Sequence, residues 1–115
     1  MSPFKRQEPF RYVFRVPHDT SFFISGRKGK TFQSKPGKGV MLDLSAGGLR
    51  LRTSLDLPDE TDLTFSFTIA DTALEPSGCI VWKRKEFGEY VYGIDFHETT
   101  DGEAVVKALK MYAKA

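Results

Sequence analysis

A chain of 115 residues with 40% hydrophobic and 28% charged side chains can bury one core, is too small for a multi-domain enzyme, and has the composition of a folded globular domain. The formal net charge of +2 hides an asymmetry: residues 1–53 carry 11 Lys/Arg against 3 Asp/Glu, while residues 54–115 carry 6 against 12. That imbalance suggests an anionic partner for the N-terminal half, although a charged face by itself is more often merely solvated.

The N-terminal residues, MSPFKRQEPF, contain no apolar run resembling a signal peptide, and no segment reaches the roughly 18 apolar residues of a membrane span. The expectation is a cytoplasmic protein without membrane insertion. Residues 1–17 are basic and aromatic and are punctuated by Pro3, Pro9 and Pro17, which predicts an extended arm rather than a long helix. Phe4, Phe10, Tyr12, Val13 and Phe14 would dock it, leaving Lys5, Arg6, Arg11 and Arg15 for a ligand.

From Asp19 onward, short apolar or alternating runs recur between turn residues, the pattern of a sandwich or barrel. Strands are predicted at Ser21–Ser25, Gly39–Leu44, Gly48–Thr53, Asp62–Ile69, Leu74–Lys85 and Glu89–Phe96, about six in all. A Gly- and Lys-rich loop, GRKGKTFQSKPGKG, follows the first, with weak strand content around Thr31–Ser34. In Asp62–Ile69 the apolar Leu63, Phe65, Phe67 and Ile69 alternate with polar residues, so one face is buried.

Cys79, the only cysteine, excludes an intramolecular disulfide and reads as a small buried hydrophobe in Cys-Ile-Val-Trp. Trp82 could stack on a base, but at the end of that apolar strand it is expected rather in the core or packed at the barrel end. His18 and His97 stand far apart without cysteine partners, so no zinc-ligand spacing exists. After Thr99-Thr100-Asp101 the period changes: Ala104, Val105, Ala108, Leu109 and Tyr112 fall on one helical face, predicting a helix over 100–114. Glu103 suits its first turn and Lys107, Lys110 and Lys114 its end.

Two constellations could carry function. Asp43-Leu44-Ser45-Ala46-Gly47-Gly48 reverses the chain between two strands and reads first as a turn. Yet Asp43 and Ser45 set polar oxygens beside Leu42, Leu44 and Leu49, where they need partners, and the glycines allow close approach of a ligand. Arg11 and Arg15, four apart, carry planar forks suited to phosphate oxygens or the O6/N7 edge of guanine, although RxxxR by itself is a very common pattern and more often marks scattered surface charges. Arg50 and Arg52 alternate with Leu49 and Leu51, so they face outward, into solvent or as an extension of the basic surface. No nucleophile–base pair or metal set is visible, and an enzyme is the least favoured class.

RxxxR at Arg11–Arg15 followed by DxSxxG at Asp43–Gly48, with Gly78-Cys79-Ile80-Val81-Trp82 and Tyr92-Gly93-Ile94-Asp95-Phe96 behind them, resembles the PilZ domain, a bacterial receptor module for cyclic di-GMP. The resemblance covers nearly the whole chain. It implies a mainly all-β fold, a six-stranded antiparallel barrel over 18–98 with one C-terminal α-helix over 100–114 and an extended N-terminal arm over 1–17, in a single domain over 1–115. It further implies that Arg11 and Arg15 hold guanine bases and phosphates, that Asp43 and Ser45 contact a guanine edge, and that Gly48 keeps the turn shape. Cyclic di-GMP would be the ligand, with no cofactor or metal, and the signal would pass to a protein effector in motility, biofilm or exopolysaccharide control. The alternatives are a PilZ-like protein-interaction adaptor without nucleotide binding, and a basic β-barrel binding single-stranded nucleic acid, which the inward parity of the aromatics on Asp62–Ile69 disfavours.

Overall fold

The computed structural model describes residues 10–114. In chain order it contains β1 (Arg11–Arg27), β2 (Lys30–Thr31), β3 (Gly37–Ser45), β4 (Gly48–Thr53), β5 (Thr61–Ile69), β6 (Thr72–Leu74), β7 (Ser77–Glu86), β8 (Glu89–Phe96) and α1 (Gly102–Lys114). The strands pair antiparallel in the order β2-β1-β3-β4-β8-β7-β5-β6, and a further β1–β5 pairing closes β1, β3, β4, β8, β7 and β5 into a ring of six. Closure removes the exposed edges that an open sheet would present. The remaining strands, β2 and β6, are short extensions of two or three residues.

Alternation fills the barrel. Along β5, Leu63, Phe65, Phe67 and Ile69 are all buried, and they meet Phe22, Met41, Leu44, Leu49, Leu51, Ile80, Tyr92, Ile94 and Phe96 in one core. The long strand predicted at 74–85 is instead two, β6 and β7, separated at Glu75-Pro76, because proline cannot donate to a central ladder. Cys79 is half-buried rather than fully enclosed.

Helix α1 starts as its sequence dictates: the Ala104 amide donates to Asp101 Oδ1 at 3.1 Å, an N-cap bond. Its face of Val105, Ala108 and Leu109 is buried against the barrel, and no helix among the described residues is long and apolar enough to cross a membrane.

The segment expected as an arm is described only in part. Residues 1–9, with Pro3, Phe4, Lys5, Arg6 and Pro9, lie outside the described residues. Arg11–Pro17 belongs to β1, where Arg11, Tyr12 and Val13 pair with Ser45, Leu44 and Asp43. The ladder then breaks: the next pair is His18 with Met41, so residues 14–17 face Leu42 alone. Pro17, without an N–H to offer, sits in this bulge, where none is required.

Candidate functional site

Cross-strand neighbours place one row of side chains on the outer face of the barrel. Val13 of β1 stands opposite Asp43 of β3, Asp43 opposite Arg50 of β4, Arg50 opposite Gly93 of β8, and Gly93 opposite Trp82 of β7. Two register shifts create that row. One, between Met41 and Asp43, lets Met41 and Leu44 both point inward while Asp43 points outward. The other, between Ile80 and Trp82, turns Trp82 outward past Val81.

Asp43 is the polar centre of the row and is only 4% exposed. Arg11 Nη1 donates to its Oδ1 at 2.7 Å, Arg50 Nε to its Oδ2 at 2.6 Å, and the Arg50 amide to its Oδ1 at 3.1 Å. Three donors nearly fill the roughly four acceptor positions of a carboxylate. A buried charge is thereby compensated, and two guanidinium forks, each more than a third exposed, are held in fixed orientation.

Arg11, Asp43, Arg50, Val81, Trp82 and Asp95 line an open cleft of about 300 Å³. That is the low end of the roughly 300–1,000 Å³ typical of small-molecule sites, so it accommodates part of a nucleotide-sized ligand against a face open to solvent. Trp82 lies across Gly93: a Cβ at Gly93 would stand 2.0 Å from the indole Nε1. The Arg84 guanidinium lies 5.3 Å from the centre of the same ring.

The turn residues are used structurally. Ser45 is fully buried; its hydroxyl donates to the Gly48 carbonyl and accepts from the Gly47 amide, both at 3.3 Å. Gly48 has no left-handed φ; a Cβ there would stand 2.1 Å from the Ile94 carbonyl oxygen, so glycine is required for the close approach of β4 to β8.

The structure thus brings Arg11, Asp43, Ser45 and Gly48 together around the β3–β4 hairpin. Arg15 stands apart on the β1 bulge, exposed, with no side-chain hydrogen bond or ion pair among the described residues. Arg50 faces outward as expected, but its pairing with Asp43 was not readable from spacing. Trp82 is a correction: it is 39% exposed beside the cleft, because the bulge at Val81 reverses the parity assumed for it. A glycine inside the strand Glu89–Phe96 was the signal that could have placed it, since such glycines mark close approach of another group.

Comparisons with known proteins agree with this architecture. The chain is similar to the PlzA protein of Borreliella burgdorferi, solved in complex with c-di-GMP, with a TM-score of 0.59 and 20% identity over 90% of this chain and 39% of that one. It is also similar to the PilZ domain of CeSA from a cellulose-synthesizing bacterium, with a TM-score of 0.51 and 19% identity over 85% of this chain and 92% of that one. At these identities the likeness is one of fold, and this chain spans well under half the length of PlzA. No curated protein matches the chain at a significant level. The family model that describes the PilZ domain matches residues 5–113, and the chain therefore belongs to the PilZ domain family.

Proposed function

We propose that this domain is a cytoplasmic receptor that binds cyclic di-GMP at Arg11, Arg15, Asp43, Ser45 and Gly48, with Arg50 and Trp82 completing the site, and that it acts by binding rather than by catalysis. The observation that carries the reading is the carboxylate of Asp43 fixing two arginine forks at the mouth of the cleft that Trp82 borders. Membership of the PilZ family and the c-di-GMP complex of a structural neighbour support the choice of ligand.

The chemistry divides among these residues. Arginine forks donate to guanine O6/N7 and to phosphate oxygens, and the flat indole of Trp82 offers a purine a stacking surface. Asp43 already accepts from three donors, so a guanine N–H reaches it only by sharing or displacing one of them. Its first task is to hold the arginines; its second is to exchange an arginine for a guanine edge. Ser45 and Gly48 keep the hairpin flat beside the ligand. Arg15 swings from its bulge onto the phosphates, and binding weakens as salt rises.

Relay to an effector would use the same bulge. Val13 and Val16 flank Arg15 and are 63% and 76% exposed, so movement of Arg15 alters an apolar surface next to it. Titration calorimetry with cyclic di-GMP tests the reading: saturable heat that shrinks with added salt is expected. No heat at high micromolar ligand from the folded protein would overturn it in favour of an adaptor that recognises protein alone.

A further inference from the structure

Strand alternation between the two arginines sends Arg11, Val13 and Arg15 to one side and Tyr12 and Phe14 to the other. Phe14 is buried and Tyr12 half-buried. Both meet Tyr112 from the end of α1: the Tyr112 ring lies 5.5 Å from Tyr12 at 85° and 5.8 Å from Phe14 at 72°. It also lies 5.9 Å from His18 at 84°. Tyr12 meets Phe14 edge-on at 5.1 Å, and the Phe14 ring stacks on His18 at 5.3 Å. These are favourable edge-to-face and stacked separations.

The cluster falls where the backbone supplies least support. Residues 14–17 have no ladder partner on β3, and the β1–β5 pairing begins only at Ser21. Arg15 sits in that unladdered stretch, so its position depends on the rings either side of it. Tyr112, from a distant part of the sequence, touches all three rings; Phe14 also packs into the core, and His18 Nε2 lies 2.9 Å from the Thr68 carbonyl.

We infer that Tyr112 is a positioning residue for the ligand-binding arginine segment: the last turn of α1 sets the pose of Arg15 through Tyr12, Phe14 and His18, and so sets the affinity for nucleotide. The inference rests on the cyclic di-GMP reading above. By linkage the effect is reciprocal: nucleotide binding tightens α1 on the barrel, and a partner that draws Tyr112 away weakens nucleotide binding. The Tyr112 hydroxyl makes no hydrogen bond among the described residues, so the contact is one of ring against ring.

The test compares Tyr112→Phe and Tyr112→Ala. With cyclic di-GMP, Tyr112→Phe should bind within about twofold of the parent chain and Tyr112→Ala about tenfold more weakly, the loss of two or three ring contacts. If Tyr112 acts through Arg15, the effect of Tyr112→Ala should shrink in an Arg15→Lys background, whereas a merely structural loss would carry over unchanged. Amide exchange of the ligand-free protein provides an independent measurement: Tyr112→Ala should speed exchange at residues 11–13 and 18, the laddered residues that flank the bulge, and leave the β4–β8 amides untouched. Parent-like affinity, or parent-like exchange at residues 11–13 and 18, in Tyr112→Ala overturns the inference. If the parent chain itself binds no cyclic di-GMP, the functional reading fails instead, and the exchange result alone decides whether Tyr112 holds the segment.

Discussion

Two polar clusters occupy opposite faces of the same strands, and they differ in what their donors point at. Neighbouring residues separate them: Gly93 and Tyr92 on β8, and Trp82 and Lys83 on β7, project to opposite sides. On the inner side Tyr92 is fully buried; its hydroxyl donates to the Leu55 carbonyl and accepts from the Leu57 amide, both at 2.7 Å. Lys83 donates to Asp56 and to the Leu57 carbonyl and lies 5.1 Å from the Tyr90 ring. Every one of these groups is turned onto the loop that covers the barrel end. On the outer side Asp43 is equally well satisfied, yet the arginines that satisfy it border an open cleft. Carboxylate, cation and aromatic ring occur in both, so residue type does not distinguish a site from a fastening. Exposed donors beside open volume do.

The contrast can be broken most decisively at Arg15. Arg15→Ala should weaken cyclic di-GMP binding by about 2–4 kcal/mol, the loss of one or two charge-assisted hydrogen bonds. Its unfolding free energy should stay within about 0.5 kcal/mol of the parent, because an exposed side chain without a protein partner is removed. Calorimetry and urea unfolding on the same preparation measure both.

Asp43→Asn should move both quantities, since it leaves two arginines facing a neutral amide. A loss of about 1–3 kcal/mol in stability is expected, below the roughly 3–5 of a fully buried pair because the arginines are partly exposed. Ligand affinity should fall with it. Parent-like affinity in this variant would detach Asp43 from the site.

Tyr92→Phe sharpens the other half of the comparison. It strips the loop of one donor and one acceptor and leaves the Leu57 amide buried without its partner, costing about 1–2 kcal/mol of stability. Affinity should not change. A weakened affinity would mean that the two faces are coupled.

The smallest effect concerns Asp56, whose carboxyl is held below its usual range chiefly by the hydrogen bond from Lys83. The lysine is correspondingly raised by the same bond. A carboxylate depressed on folding contributes stability that is present above its unfolded pKa, near 3.8, and is lost as pH falls through the lower folded value. Asp56→Asn should therefore narrow its stability deficit against the parent as pH drops below about 4. Screening by solvent keeps the effect small; unfolding midpoints at pH 3 and pH 7 measure it.

What could be read from the sequence follows the same geography. The bounds of β4 and β8 were legible because strict alternation meets clear turn residues at both ends. The face of α1 was legible from its period. Four register shifts were not legible, one between Ile24 and Gly26 and three near the cleft: between Val13 and His18, between Met41 and Asp43, and between Ile80 and Trp82. Each inserts residues that have no cross-strand partner, and each reverses the parity that alternation relies on. The last three adjoin the candidate site. Of these three, the one at Val13–His18 hid the start of β1 behind Pro17, the one at Met41–Asp43 concealed that Asp43 and Arg50 share a face, and the one at Ile80–Trp82 sent Trp82 outward. Asp43 and Arg11 could still be singled out, because a carboxylate between leucines demands partners wherever the ladder places it.

Trp82 is the only tryptophan in the chain, and it borders the cleft itself, so its emission gives the most direct test of where the ligand binds. Titration with cyclic di-GMP should produce a saturable change in Trp82 fluorescence with the same midpoint as the calorimetric heat, and the change should vanish in Arg15→Ala. Saturable heat with unchanged emission would place the nucleotide elsewhere on the barrel and contradict the account.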